Sequence, residues 1–396
     1  MMPLRLLRDR RFWQGSGPWW LVLFLATNLY VLHLQNAFER EKARNLLQHR
    51  TLLPTATAQE QALPGAVTDR PRYDWSVGEN LSDYWPYIPD ATARPLTLLT
   101  GMSQMYAINE AMPGDQTIAE HMDDMLAYRG VHIFGLAAPN LSNEEALFLL
   151  LAALSQRETR PYAFVYGVCF DKFRNLDLRP GYQEFMRNRP AVQHLWQTLA
   201  AEYAIQYPMA SAKMLQSLAA LQPADKRQTS IETRLRQFVA TWIPAVAAQK
   251  RLNGEFQLML YDLRNWLLQI KNTTKRPIIQ SRYDLNKEFL QLMIDIAEHH
   301  GVRLILYVIP LNHLAENPYI PAQYHSFKDW VSSLAQDRSV PFANLEHVIP
   351  DQYWGEFMGG PDFKHFKGEG HRLTAQALVE HFGHILTLQA ERAAYQ

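Results

Sequence analysis

The chain has almost no cysteine, no excess of either charge and no long unbroken apolar run, and each shortage removes a class of protein. A single cysteine in 396 residues, Cys169, excludes an intramolecular disulfide and a multi-cysteine zinc site. It leaves the compartment open, because a chain of this length is stable without covalent staples. Lys+Arg and Asp+Glu stand at 39 each, so the basic surplus of a nucleic-acid binder is missing. No internal repeat is visible. What is present is ample apolar material: 47% hydrophobic against 20% charged residues, the balance of one large or two modest folded domains rather than of a disordered chain.

The amino terminus stands apart. Arg5, Arg8, Arg10 and Arg11 precede Trp19, Trp20 and an apolar stretch that ends at Leu34. Basic residues, an interfacial Trp pair and an apolar run are the ingredients of a membrane segment. The run is short, Thr27, Asn28 and His33 dilute it, and no small-x-small cleavage site follows Leu34. The alternatives are a single signal anchor and an interfacial amphipathic helix; the Trp pair and the Arg cluster favour the anchor. Arg40, Lys42 and Arg44 beyond the run are partly offset by Glu39 and Glu41. The N-terminal cluster therefore sets the orientation: residues 1–48 form a cytoplasmic tail and one helix in the cell (inner) membrane. The main domain is then extracytoplasmic, or periplasmic. Residues 49–93, rich in Thr, Ala, Gln and Pro over 51–72, read as a linker or wrap.

From 94 to 396 the pattern is one of strands alternating with helices. Strands are expected at 96–100, at 131–134 ending at Gly135, and at 162–170. Helices are expected at 116–127 and after the capping-box sequence Ser142 to Glu145. Strict alternation means β-α-β units on a parallel sheet. A helical insertion interrupts it over about 172–280, with helices at 191–205, 211–221 and 255–270. The sheet pattern then resumes with a helix at 284–300 stopped by Gly301, a strand at 303–309, a helix near 322–337 and a short strand at 341–345. A loop at 350–370 and a helix at 374–388 close the chain. The fold class is α/β: a three-layer parallel-sheet domain with a helical insertion and an N-terminal transmembrane helix.

Two short motifs carry the chemistry. Gly101-Met102-Ser103 puts a hydroxyl where the first strand ends, at the carboxyl edge where open α/β sheets hold ligands. Asp362-Phe-Lys-His365 stands before the last helix, so it can reach the same edge. Ser…Asp…His is one of the chain orders in which acyl-transfer triads occur. In that arrangement His365 takes the Ser103 proton as general base and Asp362 fixes the imidazole tautomer and steadies its cation. A lone G-x-S is more often a structural turn, and a lone D-x-x-H a helix cap. Their joint placement at the first strand and before the last helix is what favours catalysis.

Gly101-Met102-Ser103 and Asp362-x-x-His365 resemble the first and last sequence blocks of the SGNH (GDSL-like) hydrolases. With the anchor and the D-x-x-H-x-x-x-x-G run from Asp362 to Gly370, the chain is most similar to membrane-anchored members. These include DltD of teichoic-acid D-alanylation and the SGNH proteins of envelope-polysaccharide O-acylation. The resemblance covers 94–170 and 282–390 in layout and implies a flavodoxin-like three-layer domain. It also implies an envelope-polymer substrate and a membrane-bound O-acyltransferase as partner. By the place of the second block, the oxyanion donor falls to the backbone N–H of Asn140, with Gly135 the other candidate at that turn. Met102 replaces the aspartate of the first block, and the third-block G-x-N-D has no match. Gly167-Val-Cys-Phe-Asp171-Lys-Phe-Arg174 stands there instead. Losing one oxyanion donor costs about 10²–10³ in turnover. That fits a slow transferase, or a protein that handles an acyl group passed from a partner, more easily than an efficient free hydrolase. The rival is a non-catalytic scaffold for the partner enzyme.

Asp171 and Arg174 are either a rim salt bridge or substrate contacts, and Asn312, beside His313 after Pro310, is a candidate substrate contact at another strand end. Cys169 lies in an apolar run and reads as core. His299 and His300 close a helix, where histidine suits the dipole. Asp362, His365 and His371 are also metal-ligand types, but no further ligand motif accompanies them. The reading therefore calls for no metal and no cofactor, and for no nucleic-acid partner.

Overall fold

The structure is a computed structural model that describes residues 81–92, 95–112, 114–221, 275–357 and 360–394. The expected tail and membrane segment at 1–48, the linker up to residue 80 and the helix expected at 255–270 lie outside these residues. Among the described residues no helix is long and apolar enough to cross a membrane.

The chain alternates as its pattern demands. β1 (Leu96–Gly101) is buried along its whole length, as a strand covered on both faces must be. α1 (Ile118–Leu126) starts from a capping box between Thr117 and Glu120. β2 (His132–Ala137) follows, then α2 (Asn143–Leu154), capped by the reciprocal pair Ser142 and Glu145, and β3 (Ala163–Val168). Three helices come next: α3 (Pro180–Arg187), α4 (Pro190–Glu202) and α5 (Pro208–Ala219). Each opens on proline, whose missing N–H is one the first turn leaves unpaired anyway. The chain then forms α6 (Gln280–His299), β4 (Arg303–Val308), α7 (Pro321–Asp337) and β5 (Phe342–Asn344). It ends with β6 (Trp354–Phe357), β7 (Gly360–Phe366) and α8 (Gly368–Ala394).

β1 to β5 make one five-stranded sheet in the order β2-β1-β3-β4-β5, every pairing parallel. From β1 the chain moves outward to β2 and then crosses back over β1 to β3. The order reverses at β1, and the crevice at the carboxyl ends of such a reversal is where ligands sit in open α/β sheets. Ser103 stands at that point.

α2 is apolar on every side, with Ala146 through Ala153 all buried. A helix hydrophobic all round needs cover on both flanks. The side away from the sheet is covered by α3 and α4: Phe148 stacks on Tyr182 and meets Phe185 and Trp196 edge-on. The described part of the expected insertion is thus a wall of the core.

Three boundaries differ from expectation. The packed domain begins before residue 94, since Leu81, Trp85 and Ile88 are buried and Trp85 meets Phe185 at 4.7 Å. β2 runs past Gly135 to Ala137; the glycine is there because α1 leaves no room, an added Cβ standing 2.9 Å from that of Ala119. Residues 350–370 are not a loop: β6 and β7 pair antiparallel, Trp354 opposite Phe366. Asn109, 247 residues before Glu356, holds this ribbon. Its N–H donates to the Phe366 carbonyl (2.9 Å) and its Nδ2 to that of Glu356 (3.0 Å).

Candidate active site

β1 ends at Gly101, the backbone stays extended through Met102, and a single 3₁₀ turn begins at Ser103 (Ser103–Met105). Met102, in the place of the first-block aspartate, is fully buried in the core. Glycine precedes it because the turn folds Met105 back over position 101, where a Cβ would lie 2.5 Å from Met105 Cγ. The Ser103 carbonyl accepts the N–H groups of Tyr106 (3.1 Å) and Ala107 (2.7 Å), which fixes the serine backbone.

The two motifs meet. Ser103 Oγ lies 2.8 Å from His365 Nε2, and His365 Nδ1 lies 2.8 Å from Asp362 Oδ2. The other carboxylate oxygen, Oδ1, accepts the backbone N–H groups of Lys364 (3.0 Å) and His365 (3.2 Å). Asp362 is buried, and burial alone raises its pKa. The hydrogen bond and charge of His365, with those two N–H groups, outweigh burial and hold the carboxyl below its ordinary value. An ionised carboxylate can only accept, so the proton between the two residues sits on Nδ1. Nε2 then presents its lone pair to the Ser103 hydroxyl, the tautomer a general base needs.

Long-range bonds position β7. Gln104, next to the serine and itself buried, donates from Nε2 to the carbonyls of Pro310 (2.8 Å) and Lys364 (2.6 Å). Asn312 donates from Nδ2 to the Asp362 carbonyl (2.8 Å) and from its backbone to that of Phe363 (2.9 Å). Asn312 is buried; it clamps the strand that carries Asp362 and His365 and does not present its side chain at the surface as a substrate contact would.

The remaining expected residues fall as follows. Gly135 faces α1 inside β2 and is no part of the edge. Asn140 does lie at the edge, in the turn between β2 and α2, with φ 49°, the left-handed geometry that asparagine tolerates. Asp171 is buried and pairs with Arg276 Nη1 at 2.7 Å, not with Arg174; that bridge spans 105 residues and had no local signature. The Arg174 Nε is buried and, among the described residues, has no hydrogen-bond partner. Cys169 is buried and its thiol is pushed up by burial. His371 is fully buried against Phe366, and burial drives its pKa down to about 3, so it is a neutral core residue. Among the described residues no group of three His, Cys, Asp or Glu side chains is placed to hold a metal ion.

Gln104, Asn109, Asn175, Arg179, Arg276 and Lys364 complete the surroundings and carry no motif of their own in the sequence. Gln104 and Lys364 are next to the motif serine and histidine, and that adjacency was the one signal available. Asn175, six residues past Cys169 and so beyond the third-block position, bonds the Asn140 carbonyl through Nδ2 at 3.0 Å.

No family model matches the chain, and no curated protein matches it. Among the solved structures similar to it are two described in terms of acyl-ester chemistry. One is a protein described as an acylhydrolase from Bacteroides fragilis, with TM-score 0.36 and 11% identity, covering 79% of this chain and 99% of that one. The other is a GDSL-like lipase from Bacteroides thetaiotaomicron, with TM-score 0.36 and 8% identity, covering 77% of this chain and 98% of that one. Likeness at this level says nothing of activity, and the chemistry of the site rests on the hydrogen-bonded line from Ser103 through His365 to Asp362.

Proposed function

We propose that the chain is an SGNH-like serine esterase or O-acyltransferase working through an acyl-Ser103 intermediate. The observation that carries this reading is the continuous relay of two 2.8 Å contacts, Ser103 Oγ to His365 Nε2 and His365 Nδ1 to Asp362 Oδ2. Ser103 Oγ bonds to the ester carbonyl carbon while its proton passes to His365 Nε2. The tetrahedral adduct collapses, and the leaving alcohol takes that proton. Water or an acceptor hydroxyl then repeats the sequence on the acyl-serine, releasing an acid or a transferred ester. Asp362 stays ionised throughout and steadies the imidazolium.

The substrate in this reading is an O-acyl group on a cell-envelope polysaccharide or teichoic-acid-like polymer. The domain is tethered to the inner membrane by residues 1–48 and works outside the cytoplasm with a membrane-bound O-acyltransferase. Support for that part comes from the Trp19-Trp20 pair, the Arg cluster and the likeness of the two end motifs to anchored SGNH proteins. The rival is a non-catalytic scaffold for the same partner, favoured by Met102 and by the missing third-block asparagine.

A serine-reactive fluorophosphonate separates the two. Adduct formation on the full chain in detergent, absent in Ser103→Ala, is the expected result. No Ser103-dependent adduct, together with normal envelope modification in cells carrying Ser103→Ala, would leave only the scaffold.

A further inference from the structure

Asn140 holds a left-handed backbone at φ 49°, and such a conformation in a non-glycine residue persists where its surroundings over-determine it. Here they do. Ahead of it, the Ala138 N–H donates to the Gly101 carbonyl (3.2 Å), two residues before Ser103. The Pro139 carbonyl accepts Arg179 Nη2 (3.0 Å) and the Asn140 carbonyl accepts Asn175 Nδ2 (3.0 Å). Behind it, the Ser142 N–H donates to Glu145 Oε2 (3.0 Å). Lys364 Nζ, from the residue preceding His365, approaches Asn140 Oδ1 at 3.5 Å.

Arg179 is itself locked. Its Nε and Nη2 take the two oxygens of Glu145 at 2.6 and 2.7 Å, and its backbone N–H takes Oε1 at 3.1 Å. Glu145 is buried, so the pairing is a planar fork in a site of low polarity, the geometry a lysine does not reproduce. One carboxylate thus caps α2 and aims the guanidinium at the turn.

The direction of that aim has a consequence. The Pro139–Asn140 peptide is trans and planar, so its C=O and N–H point to opposite sides. A guanidinium that fixes the carbonyl on one side therefore fixes the Asn140 N–H on the other. We infer that Arg179 and Asn175 are positioning residues that hold the 138–142 turn so that the Asn140 N–H meets the oxyanion formed at Ser103. The inference rests on the acyl-serine reading. As Ser103 Oγ bonds to the carbonyl carbon and its proton moves to His365, the carbonyl π pair settles on oxygen. The Asn140 N–H is the donor to that charge.

The test is steady-state hydrolysis of 4-nitrophenyl acetate by the full chain in detergent, for wild type, Ser103→Ala, Arg179→Gln and Asn175→Ala. Arg179→Gln is expected to lower kcat about 10- to 100-fold, in line with the cost of a displacement near one ångström, with KM within threefold. Asn175→Ala is expected to lower kcat about tenfold at unchanged KM and unchanged melting temperature. A purely structural role would lower the melting temperature and the active fraction, and leave kcat per labelled serine intact. Should Arg179→Gln fail to fold, Asn175→Ala decides alone, since its bond lies at the exposed surface. Kcat within twofold of wild type in both folded variants overturns the inference while the serine mechanism stands. Wild-type turnover that does not depend on Ser103 overturns the serine mechanism and this inference with it.

Discussion

Asp362→Asn is the sharpest single perturbation of the site, because the two carboxylate oxygens have separate jobs. Oδ1 accepts the N–H groups of Lys364 and His365, and Oδ2 faces His365 Nδ1. An asparagine that keeps its oxygen on the two N–H groups preserves the backbone bonds and turns its NH₂ toward Nδ1. Nδ1 must then accept, the ring proton moves to Nε2, and Nε2 can no longer take the Ser103 proton. The strand survives and the base is lost. A wrong tautomer of this kind costs a triad about 10⁴ in kcat, or about 5 kcal/mol of barrier. Asp362→Ala is expected to lose the same activity and also stability, since two backbone N–H groups lose their acceptor at about 1–3 kcal/mol each where buried. The assay is kcat on 4-nitrophenyl acetate beside a thermal melt for both variants. An Asp362→Asn protein that folds normally and keeps more than a tenth of wild-type kcat refutes the relay.

Two further outcomes check the surrounding structure. Gly135→Ala places a methyl 2.9 Å from that of Ala119 and is expected to cost about 1–3 kcal/mol through overpacking. Chemical denaturation measures that loss; kcat per folded molecule stays within twofold, and a larger fall in kcat at unchanged stability would return Gly135 to the active edge. Lys172 is fully buried, its Nζ 3.9 Å from the centre of the Tyr166 ring and, among the described residues, without a hydrogen-bond partner. Burial lowers its pKa from 10.5 to about 7. Between those values the unfolded chain carries a proton that the folded chain lacks, so stability rises with pH across that window, by up to about 1.4 kcal/mol per pH unit. Urea melts between pH 7 and 10 are expected to show that rise in wild type and a flatter profile in Lys172→Met; equal slopes would place the ammonium in water.

The alternation of elements was legible because each is a local matter. The 3.6 and 2 residue periods, the Ser142–Glu145 capping box and the glycine stop at 301 act within a few residues, and Gly301 has the left-handed φ of 68° that such a stop needs. Apolar periodicity places helix starts one to three residues late where proline opens them, at 190, 208 and 321. The 354–366 ribbon looks like a loop along the sequence because its register depends on Asn109, whose bonds to it no local window contains. The same holds for Asn312. Its place after a strand end suggested a ligand contact, yet a partner 50 residues away in the chain makes it a clamp.

Local pattern along the chain carries the parallel α/β plan and marks Ser103, Asp362 and His365 as candidates, because turn chemistry and residue type are written locally. Chain packing alone brings Ser103 and His365, 262 residues apart, to 2.8 Å. It also decides that Asp171 answers Arg276, and that the Asn140 turn is held from four sides. Those are contacts between distant segments, set by how the sheet order reverses at β1 and by which helix covers which face. No period or spacing along the chain encodes them.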